Sequence, residues 1–300
     1  MNKTLITISG PTAVGKTKFS IDLAKLLNCQ IISCDSRQFY KELSIGTAIP
    51  SKKELNAVKH HYIHHKSIND TYTVKDFQKD ALNKIKELFI SDEFIILVGG
   101  SGLYMDAVIY GLDDFPEIDK KVRENLNLKL NKFGIIYLQK KLQKLDPEYY
   151  SKVDLKNPRR LIRALEVCIS SNKPFSSYVN KKKTKHPFKL FNIGIVMDRD
   201  KLYEKINSRV DQMFSQGLVN EVKGLIDFKN YNALKTLGYK ELFQFIENKC
   251  TLNESIEEIK KNTRRYAKRQ ITWLKSKNDI TYINSSTDAK LVQKTYFDFK

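Results

Sequence analysis

The run Gly10-Pro11-Thr12-Ala13-Val14-Gly15-Lys16-Thr17 fits the pattern G-x-x-x-x-G-K-[ST] without a gap, and its flanks dictate how it must be presented. Residues 4–9, TLITIS, are a short β-branched run that stops at Gly10. From Lys16 to about Leu27 the spacing predicts a helix with Phe19, Leu23, Leu26 and Leu27 on one face. A strand, a glycine-bounded turn and a helix in that order form a phosphate cradle. The glycines let backbone N–H groups turn inward, and the helix N-terminus adds positive potential. Lys16 is expected to reach the terminal phosphates, and the Thr17 hydroxyl to ligate Mg²⁺. The motif is specific for phosphate and silent about what carries the phosphate.

Two further strands are expected at 30–33 (QIIS) and 94–98 (FIILV). Between them lies a helix over 74–90 with Val74, Phe77, Ala81, Ile85 and Leu88 at helical spacing. This alternation predicts an α/β fold whose core is a P-loop NTPase-like parallel sheet wrapped by helices. After Pro116 the chain turns helical and charged. Asn157-Pro158 reads as an N-cap followed by proline at the first helical position, opening a helix to about Ser171. The run KKKTKHP at 181–187 reads as an exposed connector, and strand character returns at 191–197 and 279–283. The expected organisation is therefore a catalytic core of residues 1–117 and 189–300 interrupted by a mostly helical insertion at 118–188, without internal repeats.

The formal net charge of +19 admits two explanations, a polyanionic partner such as nucleic acid or a lysine-rich composition without such a purpose. Arginine separates them better: only ten of the 53 basic residues are Arg, and six fall in two clusters, Arg159/Arg160/Arg163 and Arg264/Arg265/Arg269. Planar, bidentate grip on phosphate and stacking on bases are work that Lys does poorly. The cysteines Cys29, Cys34, Cys168 and Cys250 lack metal or disulfide spacing and read as reduced, mostly buried thiols. Without a leader pattern or a long apolar run, a cytoplasmic protein with no membrane segment is expected.

An NTPase or kinase also needs an acidic residue closing an apolar strand to hold its metal. Here FIILV runs into GGSGLY, whereas the second strand ends near Asp35. One carboxylate and a phosphate cradle thus stand at the carboxyl ends of neighbouring strands.

The segment DSRQFYKELSIGTAIP at 35–50, with GPTAVGKT and VGGSGLY, resembles the tRNA dimethylallyltransferase (IPP transferase) family. The resemblance extends through NPRRLIRALEV at 157–167, LKTLGYKEL at 234–242 and KRQITWLK at 268–275, in the family's order and over nearly the whole chain. It implies transfer of a dimethylallyl group from dimethylallyl diphosphate to the exocyclic N6 amine of the adenine 3′-adjacent to the tRNA anticodon. The P-loop, Gly10 to Thr17, would then hold the donor's diphosphate with Mg²⁺ as cofactor, and Arg209 would help bind it. Asp35 would accept a proton or hydrogen bond from the amine, making Asp35, Thr17 and Arg209 the catalytic set. Asp35, Ser36, Arg37, Gln38, Ser101, Arg123, Arg159, Arg160, Leu161, Ile162, Arg163, Lys268 and Arg269 match positions that contact tRNA, whose anticodon stem-loop is the implied partner of a monomer. Where many members carry Lys, this chain has Ile49, and a zinc-finger extension seen in eukaryotic relatives is not expected.

Such chemistry suits these residue types. The amine is a poor nucleophile, so activation must come from stabilising the departing diphosphate, and one carboxylate suffices to take up the proton. Pairing of Arg163 with Glu166 is the alternative to RNA contact, and a solvated face is the alternative for the Arg264/Lys268 and Arg265/Arg269 ridge beside the apolar stripe Ile256, Ile259, Ala267 and Leu274. Trp273 reads as core. The i,i+4 His pairs of HHYIHH at 60–65 lack a third ligand, and a metal is not expected there. A P-loop kinase, a non-enzymatic RNA-binding module and an adenylate-type isopentenyltransferase acting on free nucleotides remain rival readings.

Overall fold

The structure, a computed structural model, describes residues 3–179 and 184–297, so Lys181, Lys182 and Lys183 of the expected connector lie outside the described residues. In chain order the first elements are β1 (Thr4–Ser9), α1 (Lys16–Leu26), β2 (Gln30–Ser33), α2 (Lys52–Ala57), β3 (His60–His61), α3 (Val74–Leu88), β4 (Phe94–Gly99) and α4 (Gly102–Tyr110). There follow α5 (Lys120–Phe133), α6 (Ile135–Leu145), α7 (Pro147–Tyr150) and α8 (Pro158–Ser171). The chain then forms β5 (Lys189–Val196), α9 (Arg199–Ser215), α10 (Leu218–Lys223), α11 (Tyr239–Ile246), α12 (Leu252–Lys275), β6 (Thr281–Asn284) and α13 (Ala289–Tyr296).

Two compact units result, one holding the residues up to Ile109 and from His186 onward, the other Tyr110–Lys185. The second unit begins before 118 because Phe115 and Ile118 pack into its core, and it reaches Lys185 because the Thr184 amide bonds to the Tyr110 carbonyl at 3.0 Å.

The first unit is built on a parallel sheet in the order β3-β2-β4-β1-β5-β6. β1 lies between β4 and β5, with Ile6 opposite Ile96 on one side and Phe191 on the other. Every residue of β1 is buried, as expected of a parallel strand covered on both faces. Ile6, Ile8, Ile96 and Ile195 join Phe19 and Leu23 of α1, Leu202 and Ile206 of α9 and Val292 of α13 in one core. Each such side chain contributes about 1.5–3 kcal/mol of burial. On α1 the buried face is Phe19, Ser20, Ile21, Leu23 and Ala24, while Leu26, expected on it, is 38% exposed at the final turn. A second cluster joins Leu43 to Val210, Leu218, Val222, Tyr239, Leu242 and Ile259, packing α9, α10, α11 and α12 together. The sheet order reverses at β1, so the P-loop leaves that strand at the switch point where open α/β sheets bind ligands.

In the second unit α5, α6 and α8 pack around Leu126, Leu138, Leu142, Leu161 and Leu165. α8 starts as the sequence dictates: the Asn157 side chain accepts from the Arg160 amide at 3.3 Å, and Pro158 occupies the first turn. Among the described residues no helix is long and apolar enough to cross a membrane.

Candidate active site

The P-loop turns sharply because its glycines permit it. Gly15 caps α1 at φ 105, a left-handed conformation that disfavours a side chain, and a Cβ on Gly10 would meet the Ile195 carbonyl at 2.7 Å. Lys16 folds back into the loop, its Nζ donating to the carbonyls of Gly10 at 3.0 Å and Pro11 at 2.8 Å. Burial lowers its pKa to about 8, with Asp35 opposing the shift and Arg209 adding to it. Arg209, from α9, donates to the Thr12 hydroxyl at 3.5 Å. Burial lowers its pKa too, against the pull of Asp35. Two cations and one carboxylate therefore sense one another, and all three line a single cavity of about 570 Å³.

Asp35 stands just past β2, where the Cys34 amide makes a 2.8 Å bond to the Val98 carbonyl. Its Oδ1 accepts from the Arg37 amide at 3.1 Å. Gln38, expected to touch the base, lines the cavity but is only 9% exposed and has its amide engaged within the protein. Oε1 accepts from the Ser33 hydroxyl at 3.3 Å, while Nε2 donates to the carbonyls of Thr47 at 3.4 Å and Ala48 at 3.2 Å. Ser101 is brought to Ser36: its hydroxyl accepts from the Ser36 amide at 3.3 Å and lies 3.2 Å from the Ser36 hydroxyl. The Arg37 guanidinium lies 4.7 Å from the centre of the Tyr266 ring, a cation–π contact.

Tyr266 belongs to a face of α12 that sequence reasoning missed. Beside Ile259 of the apolar stripe, Thr263, Tyr266 and Gln270 recur at helical spacing and line the cavity. Gln270 accepts from the Thr12 amide and donates to the Gly100 carbonyl, each at 2.8 Å. The stripe reading followed apolar residues, so polar residues buried on a neighbouring face gave no signal. Lys268 and Arg269 are exposed, and Arg269 sits 5.7 Å from the Tyr266 ring centre. Arg264 donates to Asn207 at 2.7 Å and Arg265 to Asn262 at 3.3 Å. None of these four cations has a carboxylate partner among the described residues, leaving a basic ridge.

In the second unit Glu166, 1% exposed, is gripped by two arginines. Arg123 donates through Nε at 2.6 Å and Nη2 at 2.7 Å, and Arg163 through Nη1 at 2.7 Å. The Arg163–Glu166 pair weighed from sequence is thus formed, yet the Arg123 and Arg163 side chains remain 56% and 40% exposed. Arg159 and Arg160 are exposed. The Leu161 and Ile162 side chains are a correction to the expected tRNA contacts: at 0% and 7% exposure they face the unit's core, because α8 alternates its arginines with an apolar stripe.

Trp273 is half-buried. Its Nε1 donates to Asp106 at 2.8 Å, and a Cβ on Gly102 would stand 2.6 Å from its ring. HHYIHH is no helix. His60 and His61 form the edge strand β3, His61 meets the Gln30 amide at 3.0 Å, and His65 sits among Phe39, Tyr62 and Tyr72. No group of three metal-ligating side chains occurs among the described residues. Thr17 nonetheless fits a magnesium ion carried by phosphate: it lines the cavity, and its hydroxyl is a hard oxygen that makes no hydrogen bond among the described residues.

The IPP transferase family matches residues 38–277. A tRNA dimethylallyltransferase of Flavobacterium johnsoniae is 53% identical over 292 residues, covering 95% of this chain and 94% of that one. The solved tRNA isopentenylpyrophosphate transferase of Bacillus halodurans superposes with a TM-score of 0.71 at 39% identity, over 97% of this chain and 94% of that chain. A eukaryotic dimethylallyltransferase solved acting on tRNA gives a TM-score of 0.81 at 26% identity, over 98% of this chain and 76% of its own.

Proposed function

The chain belongs to the IPP transferase family, and from that premise we propose that the diphosphate of dimethylallyl diphosphate lies on the P-loop while the acceptor amine meets Asp35 in the same cavity. On this reading it acts as a tRNA dimethylallyltransferase, as the relative of that name and the solved enzyme acting on tRNA support, and the acceptor is the N6 amine of the adenine 3′-adjacent to the anticodon.

The observation that carries the assignment of the phosphate site is what closes β4. Nucleotide-hydrolysing P-loop proteins put a metal-holding acid at the end of such a strand. Here Gly99 and Gly100 stand there, and Gly99, pressed against the Cys34 backbone, has no room even for a methyl group. A Cβ on Gly99 would meet Cys34 Sγ at 2.4 Å, and one on Gly100 the Gln270 amide at 2.3 Å. The carboxylate is instead Asp35, one strand further out, where it faces a ligand beyond the phosphates.

The allylic C–O bond breaks as the bond from N6 forms, the diphosphate leaves with its electron pair, and the N6 proton passes to Asp35. Lys16, Arg209 and the P-loop amides stabilise the charge gathering on the leaving oxygens. Thr17, with the donor's own oxygens, would hold Mg²⁺, which supplies further neutralisation of the diphosphate. Asp35 orients the amine, a role worth about 10²–10⁴-fold in rate for a positioned base. The target base must leave its stack, at a cost of roughly a few kcal/mol that is lowest in a single-stranded loop such as the anticodon loop. Arg37, Lys268 and Arg269 on the first unit and Arg159, Arg160 and Arg163 on the second are the exposed or half-exposed cations that would meet RNA phosphates.

The test is incubation with Mg²⁺ and labelled dimethylallyl diphosphate, with unmodified tRNA and AMP as parallel acceptors. Label in tRNA alone is expected. Label in AMP would transfer the assignment to free nucleotides, and phosphate release from ATP without prenylation would make the protein a kinase-like NTPase.

A further inference from the structure

The stretch Ser44 to Ala48 forms one wall of the cavity through Gly46, Thr47 and Ala48. Three consecutive amides of this stretch converge on one side chain. Ser44 N and Ile45 N donate to Glu221 Oε2 at 3.1 and 2.7 Å, and Gly46 N donates to Oε1 at 3.0 Å. The Tyr239 hydroxyl donates to the same Oε1 at 2.6 Å. Successive N–H groups turned to one side make an anion-binding nest, and here α10 supplies the anion. The arrangement is closely fitted: a Cβ on Gly46 would stand 2.6 Å from the Tyr239 ring. Ala48 is held at φ 46, a left-handed conformation that a side chain disfavours and that persists only where its surroundings impose it.

The other edge of the stretch leads to the acceptor side of the site. Thr47 and Ala48 carbonyls accept both bonds from Gln38 Nε2, Gln38 Oε1 accepts from Ser33, and the Ser33 hydroxyl accepts from the Asp35 amide at 3.4 Å. The Gln38 amide also donates to the Asp35 carbonyl at 3.0 Å. Hydrogen bonds and the backbone of the 44–48 stretch therefore link Glu221 to the backbone of Asp35, and no residue of the P-loop takes part in the link.

We propose that Glu221 is a positioning residue for the transfer step, holding the 44–48 stretch so that Gln38 keeps Asp35 aimed at the acceptor amine. The inference rests on the assignment of Asp35 as the group that receives the amine proton. Glu221 touches no substrate. Its removal should therefore slow transfer while leaving the donor's diphosphate site intact. In Glu221→Gln one acceptor oxygen becomes an NH₂ that opposes a backbone N–H, so the nest loses its anion without losing volume. Tyr239→Phe removes a single donor and keeps the nest.

The experiment compares wild type, E221Q and Y239F with Mg²⁺, saturating unmodified tRNA and varied dimethylallyl diphosphate. It also measures dimethylallyl diphosphate binding by calorimetry, and folding by circular dichroism. The expected result is a saturated transfer rate about tenfold or more lower in folded E221Q, with donor Kd within about threefold of wild type, and a smaller loss in Y239F. A wild-type rate in folded E221Q overturns the proposal. So does a proportionate loss of rate and donor affinity, the signature of local collapse. Should E221Q not fold, Y239F decides: a slower rate at unchanged donor Kd supports the proposal, and a wild-type rate overturns it. A wild-type protein that transfers nothing removes the assignment of the site and this inference with it, whereas wild-type transfer with undiminished variants removes the inference alone.

Discussion

The side chain of Gln270 accepts a hydrogen bond from the backbone amide of Thr12, 2.8 Å away, tying the long helix α12 to the phosphate loop. Nε2 of the same glutamine donates to the Gly100 carbonyl at 2.8 Å, so one side chain sets the spacing between the loops that follow β1 and β4. The residue is 6% exposed, which leaves water little chance to replace either bond.

Gln270→Ala is therefore expected to destabilise the protein by about 1–3 kcal/mol, the cost of leaving buried partners unsatisfied. The same loosening should weaken binding of inorganic diphosphate by about tenfold, or ~1.4 kcal/mol. Thermal unfolding and calorimetric titration with diphosphate measure the two effects. An unchanged diphosphate affinity would show that the loop holds its shape without α12.

Asp35→Ala is expected to lower turnover by about 10²–10⁴-fold with tRNA affinity retained. Asp35→Asn should do nearly the same, because it keeps the Oδ1 acceptor for the Arg37 amide but cannot take up a proton. Single-turnover transfer and filter binding of tRNA separate the roles. Wild-type turnover in either variant removes Asp35 from the chemistry.

Lys16 is expected to make donor capture pH-dependent. Its folded-state pKa lies near 8, below the ordinary 10.5, because burial disfavours the ammonium. Between those values the unfolded chain binds more protons. The burden of the buried charge is thus fully present below about pH 8, and stability contributed by this group rises as pH climbs from about 8 toward 10.5. Diphosphate, by contrast, is expected to bind the ammonium form. The kcat/KM for dimethylallyl diphosphate, which reports the free enzyme, is expected to decline about tenfold per pH unit above pH 8. A profile flat to about pH 10 would contradict a buried, readily neutralised Lys16.

Removing Glu166 leaves Arg123 and Arg163 able to turn to solvent, since both are substantially exposed. Glu166→Ala should then cost about 1–3 kcal/mol from lost charge-assisted hydrogen bonds, less than the ~3–5 kcal/mol seen when a buried charge is stranded. Arg159 touches no carboxylate among the described residues, so Arg159→Ala should spare stability and weaken tRNA binding evenly across sequences. It should also reduce the salt dependence of binding by about one phosphate contact. Melting curves and binding titrations at several salt concentrations test both.

Much of the core could be read along the chain. β1 and β2 occupy the residues expected of them, β4 extends one residue further, and α8 begins at its asparagine cap and proline, because these signals are local. The edge strand β3 was not legible. Two residues are too few for any period, and His60 and His61 pair with β2 only once the sheet exists. The short α10 and α11 were missed for a related reason: their apolar residues bury against Leu43 and Ile259, far away in sequence.

By itself the sequence determined the strand, glycine-bounded turn and helix of the P-loop, which strand leads into Asp35 and which family the chain resembles, since each depends on a contiguous motif whose backbone geometry is local. Tertiary structure alone decided that Gln270 and Tyr266 face the cavity and that Glu221 grips the Ser44–Gly46 amides. Those arrangements depend on which face of one helix meets a loop from another part of the chain, and the apolar period of a segment does not record which of its polar side chains is drawn into such a contact.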